Sequence, residues 1–152
     1  MTQEDSHYKW NIGYTFIVKL KSTKGGERMK QQFLICRHCG NIVAMIRNTG
    51  VPIYCCGEEM EELLPRVTEA SGEKHIPVYC VDGNTVHVSV GATEHPMTEA
   101  HYIEWICLES EHGIHYAHLK PTDKPKVKFA LCEGDEVRGV YAFCNQHDLW
   151  RK

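Results

Sequence analysis

The chain has 152 residues and a formal net charge of -3, room for one ordinary domain or for a very small one followed by one of moderate size. The acidic balance excludes the broad basic surface of a generic nucleic-acid binder, and no acidic or basic tail is present. No run approaches the roughly 18 apolar residues of a membrane span, and no apolar signal core follows basic residues near the start, so no membrane is expected and the cytoplasm is the expected location.

Residues 1–30 read as an N-terminal extension with a polar start, an apolar patch from Tyr14 to Leu20, and then the breaker-rich run STKGGERMKQQ. YTFIVKL suits an edge strand. Met29, just ahead of the first cysteines, suits a downstream start.

From Phe33 to Pro65 short apolar pieces (FLIC, NIVAMI, VPIYC) are broken at Gly40, Asn48 to Gly50 and Gly57, the grammar of short strands and tight turns. This stretch also holds Cys36, Cys39, Cys55 and Cys56. A Cys-x-x-Cys turn aims both sulfurs at one ion, and Gly40 suits that turn. The adjacent pair is less usual, because neighbours on an extended strand face opposite ways, so a bent backbone is required. A segment this short buries little apolar core, and a metal ion is expected to hold residues 31–66 together as a small domain. Zinc and iron both accept four thiolates. Disulfides are the lesser alternative for eight cysteines that lack an export signal.

The polar run TEASGEK lies in a linker, residues 67–75, that leads into the second domain, residues 76–152. There the apolar pattern has mostly period two, in runs at 86–92, 101–109, 115–120, 126–133 and 137–144. Such runs, separated by Gly, Pro, Asp or Ser, predict an all-β antiparallel sandwich or barrel, with no place for a long amphipathic helix.

EKHIPVY supplies His75, EHPMTEAHYIEW supplies His95 and His101, and CNQHDLW supplies Cys144 and His147. Taken singly, each histidine would more often be a surface or core residue. As an ordered set with the cysteine block upstream, they resemble the superoxide reductases, in the two-iron desulfoferrodoxin form, from about Phe33 to the C-terminus. The upstream block alone resembles the desulforedoxin-type iron centre, with Cys-x-x-Cys, a short hairpin and Cys-Cys.

The resemblance implies a desulforedoxin-like domain followed by an immunoglobulin-like β-sandwich or barrel. It implies two iron ions per chain, one on Cys36, Cys39, Cys55 and Cys56, the other on His75, His95, His101 and His147 with Cys144 as axial ligand. Glu73 and Lys74 stand where the family has its Glu and Lys, the carboxylate to ligate the oxidised ion and the lysine to steer superoxide and organise a proton-delivering water. A rubredoxin-like electron donor and a homodimer built partly through the small domain are also implied. On charge alone, four neutral imidazoles and one thiolate leave ferrous iron near +1, so the site draws an anion. Amides of Asn145 and nearby residues are expected to bond the Cys144 sulfur.

Two other functions fit parts of the chain: an electron carrier whose irons are both saturated, and a zinc-ribbon binding module. His7, His38, His87, His112, His115 and His118 carry no metal signal, and a strand would set His115 and His118 on opposite faces. Cys80, Cys107 and Cys132 are expected to act as small apolar strand residues. Trp105 is expected in the core.

Overall fold

The computed structural model describes residues 30–68 and 74–152. Tyr14 to Leu20, Met29, Glu73 and most of the expected linker lie outside the described residues.

All regular structure among the described residues is strand. In the cysteine-bearing part, β1 (Gln32–Ile35) lies between β2 (Ile42–Met45) and β5 (Glu61–Glu62), while β3 (Tyr54–Cys55) and β4 (Glu58–Glu59) form a separate hairpin. The rest is two antiparallel sheets. One places β7 (Thr85–Val90) between β6 (Pro77–Asp82) and β10 (Lys126–Ala130), and the other runs β12 (Asp148–Arg151), β11 (Val137–Cys144), β8 (Ile103–Ser110), β9 (Ile114–His118).

The five runs predicted after residue 75 are β7, β8, β9, β10 and β11. Two strands, β6 and β12, escape the alternation. Beyond Pro77, every residue of β6 is exposed, because it is a sheet edge left uncovered by the second layer. The other, β12, has only four residues and starts directly after His147.

Between the two sheets sits one apolar cluster, with Val86, Val88 and Val90 of β7 facing Ile106 and Leu108 of β8 and Val140 and Ala142 of β11. The alternation of β7 is therefore clean. In β8 and β11 it is not, and Tyr141, Ala142, Phe143 and Cys144 are all buried in succession. A second cluster on the far face of this sheet joins Trp105, Cys107, Tyr141 and Phe143 to Phe33, Ile35 and Leu63. The Phe33 ring lies 5.1 Å from that of Trp105 and 5.6 Å from that of Tyr141. A strand covered on both faces has no reason to alternate.

Trp105 is in the core as expected, and Cys107 is fully buried. Cys80 and Cys132 do not pack as small apolar residues. Cys80 is exposed on the edge strand β6, and Cys132 is exposed beyond the end of β10.

Candidate metal centres

The upstream centre is assembled by two turns. Gly40, at φ +78°, donates its amide to the Cys36 carbonyl at 2.8 Å and closes the Cys-x-x-Cys loop. Cys56 and Gly57 form the two-residue turn of the β3–β4 hairpin, at φ +54° and +85°. Positive φ at both central residues marks the tight hairpin turn whose twist matches the strands. That bend answers how adjacent cysteines can face one ion.

All four sulfurs lie within 4.8 Å of one another, with Cys39 and Cys55 at 3.6 Å and Cys55 and Cys56 at 3.9 Å. The Cys39 amide lowers the pKa of Cys36 to about 7, against burial and with help from the His38 amide. Hydrogen bonds to the Cys39 and Cys55 thiols push Cys56 up to about 12. Thiols this crowded share protons, and a metal ion would displace them.

The second centre lies at the ends of strands from both sheets. His75 precedes β6, His95 follows β7, His101 precedes β8, and Cys144 and His147 flank the β11–β12 turn. The four imidazoles form a near-square. Ring centroids going round are 4.7 Å (His75 to His95), 4.6 Å (His95 to His101), 4.9 Å (His101 to His147) and 4.5 Å (His147 to His75), against 6.0 Å across the His75–His101 diagonal.

Donor atoms of His75, His95, His101 and Cys144 lie within 4.8 Å of one another. His147 joins them through Nδ1, which is 3.0 Å from His75 Nε2 and 3.5 Å from the Cys144 sulfur. His95 Nδ1 is hydrogen-bonded to the Pro96 carbonyl at 2.6 Å, which leaves Nε2 as the inward lone pair. Nε2 of His95 and of His101 are buried with no hydrogen-bond partner. Buried polar atoms left this way are costly unless something binds them, and nitrogen donors with one thiolate fit iron.

Burial lowers His95 to about 4, and it lowers His101 too, with help from the charges of His147, His75 and Lys74. Both are therefore neutral and able to ligate at pH 7. Cys144 is raised by burial, partly offset by the amides of Gln146 and His147. The Asn145 amide is not among them. The Asn145 amide goes instead to the Tyr102 carbonyl at 3.2 Å, and its side chain bonds the Tyr102 amide at 2.9 Å and the Ala100 carbonyl at 3.2 Å. This clamps the Cys144–His147 turn to the segment carrying His101. A β-bulge skips Glu104 between the Phe143–Trp105 and Cys144–Ile103 pairs. Bulges re-aim side chains beside functional sites.

Three supporting residues stand beside the ligands without belonging to the ligand set. The Trp150 ring stacks on His75 at 4.8 Å, and its Nε1 donates to the His147 carbonyl at 3.1 Å. Gly91, at φ +82°, donates its amide to the Ile76 carbonyl, and a Cβ there would lie 2.5 Å from the Lys74 carbonyl oxygen. Asp148, at φ +59°, takes the left-handed position after His147. A glycine with two close carbonyls is legible only once the chain is folded. Lys74 is exposed next to His75, while Glu73 lies outside the described residues.

His115 and His118 do fall on alternate faces of β9, and His112 pairs with Asp135, away from both centres.

Comparison with known proteins adds independent findings. The family described as Desulfoferrodoxin matches residues 67–152. A desulfoferrodoxin homolog of Archaeoglobus fulgidus is 41% identical over 116 residues, 76% of this chain and 91% of the homolog. A desulfoferrodoxin of Clostridium acetobutylicum is 38% identical over 117 residues, 77% of this chain and 91% of the relative. Among solved structures, the superoxide reductase of Treponema pallidum superimposes with a TM-score of 0.72 at 34% identity, covering 81% of this chain and 98% of that one. The family model covers more than half of this chain and the curated relatives about three quarters of it, and the chain therefore belongs to the desulfoferrodoxin family.

Proposed function

We infer that this protein is a superoxide reductase, which combines superoxide with one electron and two protons to give hydrogen peroxide. The observation that carries the reading is the near-square of four imidazoles closed by the buried Cys144 sulfur.

In this reading His75, His95, His101, His147 and Cys144 hold one iron, and Cys36, Cys39, Cys55 and Cys56 hold the other. Bound in the histidine ring, ferrous iron supplies the electron. The neutral imidazoles add no charge and the thiolate cancels one, so the site keeps a net positive charge that attracts an anion. The Gln146 and His147 amides temper the electron donation of the Cys144 sulfur. Lys74, exposed and close enough to depress the pKa of His101, adds to the attraction. It also orders the water that delivers a proton to the reduced substrate. Glu73 takes the role its family position implies, as carboxylate ligand in the oxidised state.

A rubredoxin-like protein is the electron donor we assign, and a homodimer the assembly. Residues 31–66 and 76–152 are read as the two metal-bearing domains, joined through 67–75. A reducing compartment, the cytoplasm, suits the cysteines described, all of which are free thiols. Among the described residues no helix is long and apolar enough to cross a membrane.

The test is rapid mixing of reduced protein with superoxide, together with metal analysis. Two irons per chain and repeated superoxide consumption when a donor is supplied are expected. Consumption that stops after one equivalent per iron would return the protein to the electron carriers. Zinc in the cysteine block with no iron in the histidine ring would leave only a zinc-ribbon module.

A further inference from the structure

The residue after Cys36 and the residue after His147 are joined directly. Arg37 Nη1 lies 2.9 Å from Asp148 Oδ1, and its Nε lies 3.0 Å from Glu61 Oε2 on β5. Glu61 and Asp148 thus share the guanidinium through different nitrogens. We propose that Arg37 is a positioning residue that ties the four-cysteine loop to the Cys144–Asp148 turn, so that metal bound at either centre strengthens metal binding at the other.

A filled cysteine centre fixes the loop that carries Arg37, and less side-chain freedom is then lost in forming the bridge. The bridge holds Asp148, and with it the orientation of His147. By linkage the effect runs equally in the other direction.

Asp148 supplies a second, independent reason. It sits in the left-handed region at φ +59°, where a glycine would be less strained. An aspartate there accepts strain while supplying the carboxylate that Arg37 needs.

The coupling is modest. The Arg37 and Asp148 side chains are 44% and 37% exposed, and such pairs are weak. Arg66 braces the same turn independently. Its amide bonds the Leu149 carbonyl, its carbonyl accepts from the Arg151 amide, and its guanidinium lies over the Trp150 ring at 5.4 Å.

This proposal rests on both donor sets holding iron. It is tested on the full chain by the rate at which a chelator strips iron from the histidine ring, followed by that iron's visible absorption. Emptying the cysteine centre with Cys56→Ser is expected to speed release about two- to fivefold, the scale of a surface ion pair. Arg37→Gln and Asp148→Asn should release iron that much faster with both sites loaded, and adding Cys56→Ser to either should change nothing more. Glu61→Gln makes the same charge change as Asp148→Asn but spares the bridge, and should stay closer to the native rate.

Asp148→Gly separates bridge from fold, since it relaxes the backbone while removing the carboxylate. Faster release from a chain that unfolds at or above the native temperature supports the bridge. Native release rates in Arg37→Gln or Asp148→Gly, or acceleration by Cys56→Ser persisting without Arg37, would overturn it. The readout is iron retention, so failure of the bridge leaves superoxide reduction standing. Absence of iron from the native ring would sink both.

Discussion

Gly91 and Lys74 show how single residues around the ring divide between building it and using it. A Cβ at Gly91 would meet the Thr93 and Lys74 carbonyls, which are backbone and cannot swing away, and the residue is held at φ +82°. Gly91→Ala is expected to cost about 2–4 kcal/mol, from left-handed strain plus overpacking. Because the displaced segment carries His75, thermal unfolding should fall together with iron content of the ring. Lys74 is exposed. Lys74→Ala should leave iron binding intact, slow capture of superoxide, and flatten its dependence on ionic strength in stopped-flow measurements. An unchanged salt response would remove the steering role.

At the scale of elements, the turns do the positioning, and one of them provides a pH test. The β8–β9 turn is stapled by Asp135, which accepts from Ser110 Oγ at 2.7 Å, the His112 amide at 3.2 Å, His112 Nδ1 at 3.1 Å and the Glu136 amide at 2.9 Å. Burial opposes the charge, but these bonds outweigh it and hold the carboxyl below its ordinary value of 3.8. The unfolded chain therefore takes up the proton first as pH falls. The stabilisation is complete well above the unfolded value and drains away as pH drops through the lower folded one. Asp135→Asn should melt below the native protein near pH ~6, and the gap should close as pH falls through the folded carboxyl's titration. A constant gap across that range would show that charge is not what Asp135 contributes.

For the molecule as a whole, the question is what the cysteine-bearing part does for the ring. Phe33 of β1 is 2% exposed and packs on Trp105 and Tyr141 of the large sheet. Phe33→Ala should cost about 3–5 kcal/mol, and circular dichroism should show one transition at a lower temperature. Two separated transitions would mean that the two parts fold independently. Cys36→Ser should remove the upstream iron yet leave superoxide consumption by chemically reduced protein largely intact, as measured by rapid mixing. Loss of both would make the two sites interdependent.

Much of this protein is legible in its sequence, because metal ligands and solvent-facing strands both leave local signals. The spacing of Cys36, Cys39, Cys55 and Cys56 and the order of His75, His95, His101, Cys144 and His147 depend on chemistry that few other residue types can supply. The alternation of β7, β9 and β10 reflects sheets with one wet face. What the sequence could not show was decided by contacts between distant segments. The packing of β1 buried the second face of β8 and β11 and erased their alternation, and the bare edge of the small sheet left β6 without any. Likewise the support given by Gly91, Trp150 and the Arg37–Asp148 bridge depends on which backbone or ring lies opposite, a property of the folded chain rather than of any local pattern. The ligand types were written in the sequence; the square they form exists only because four separated segments end at one edge of the sandwich.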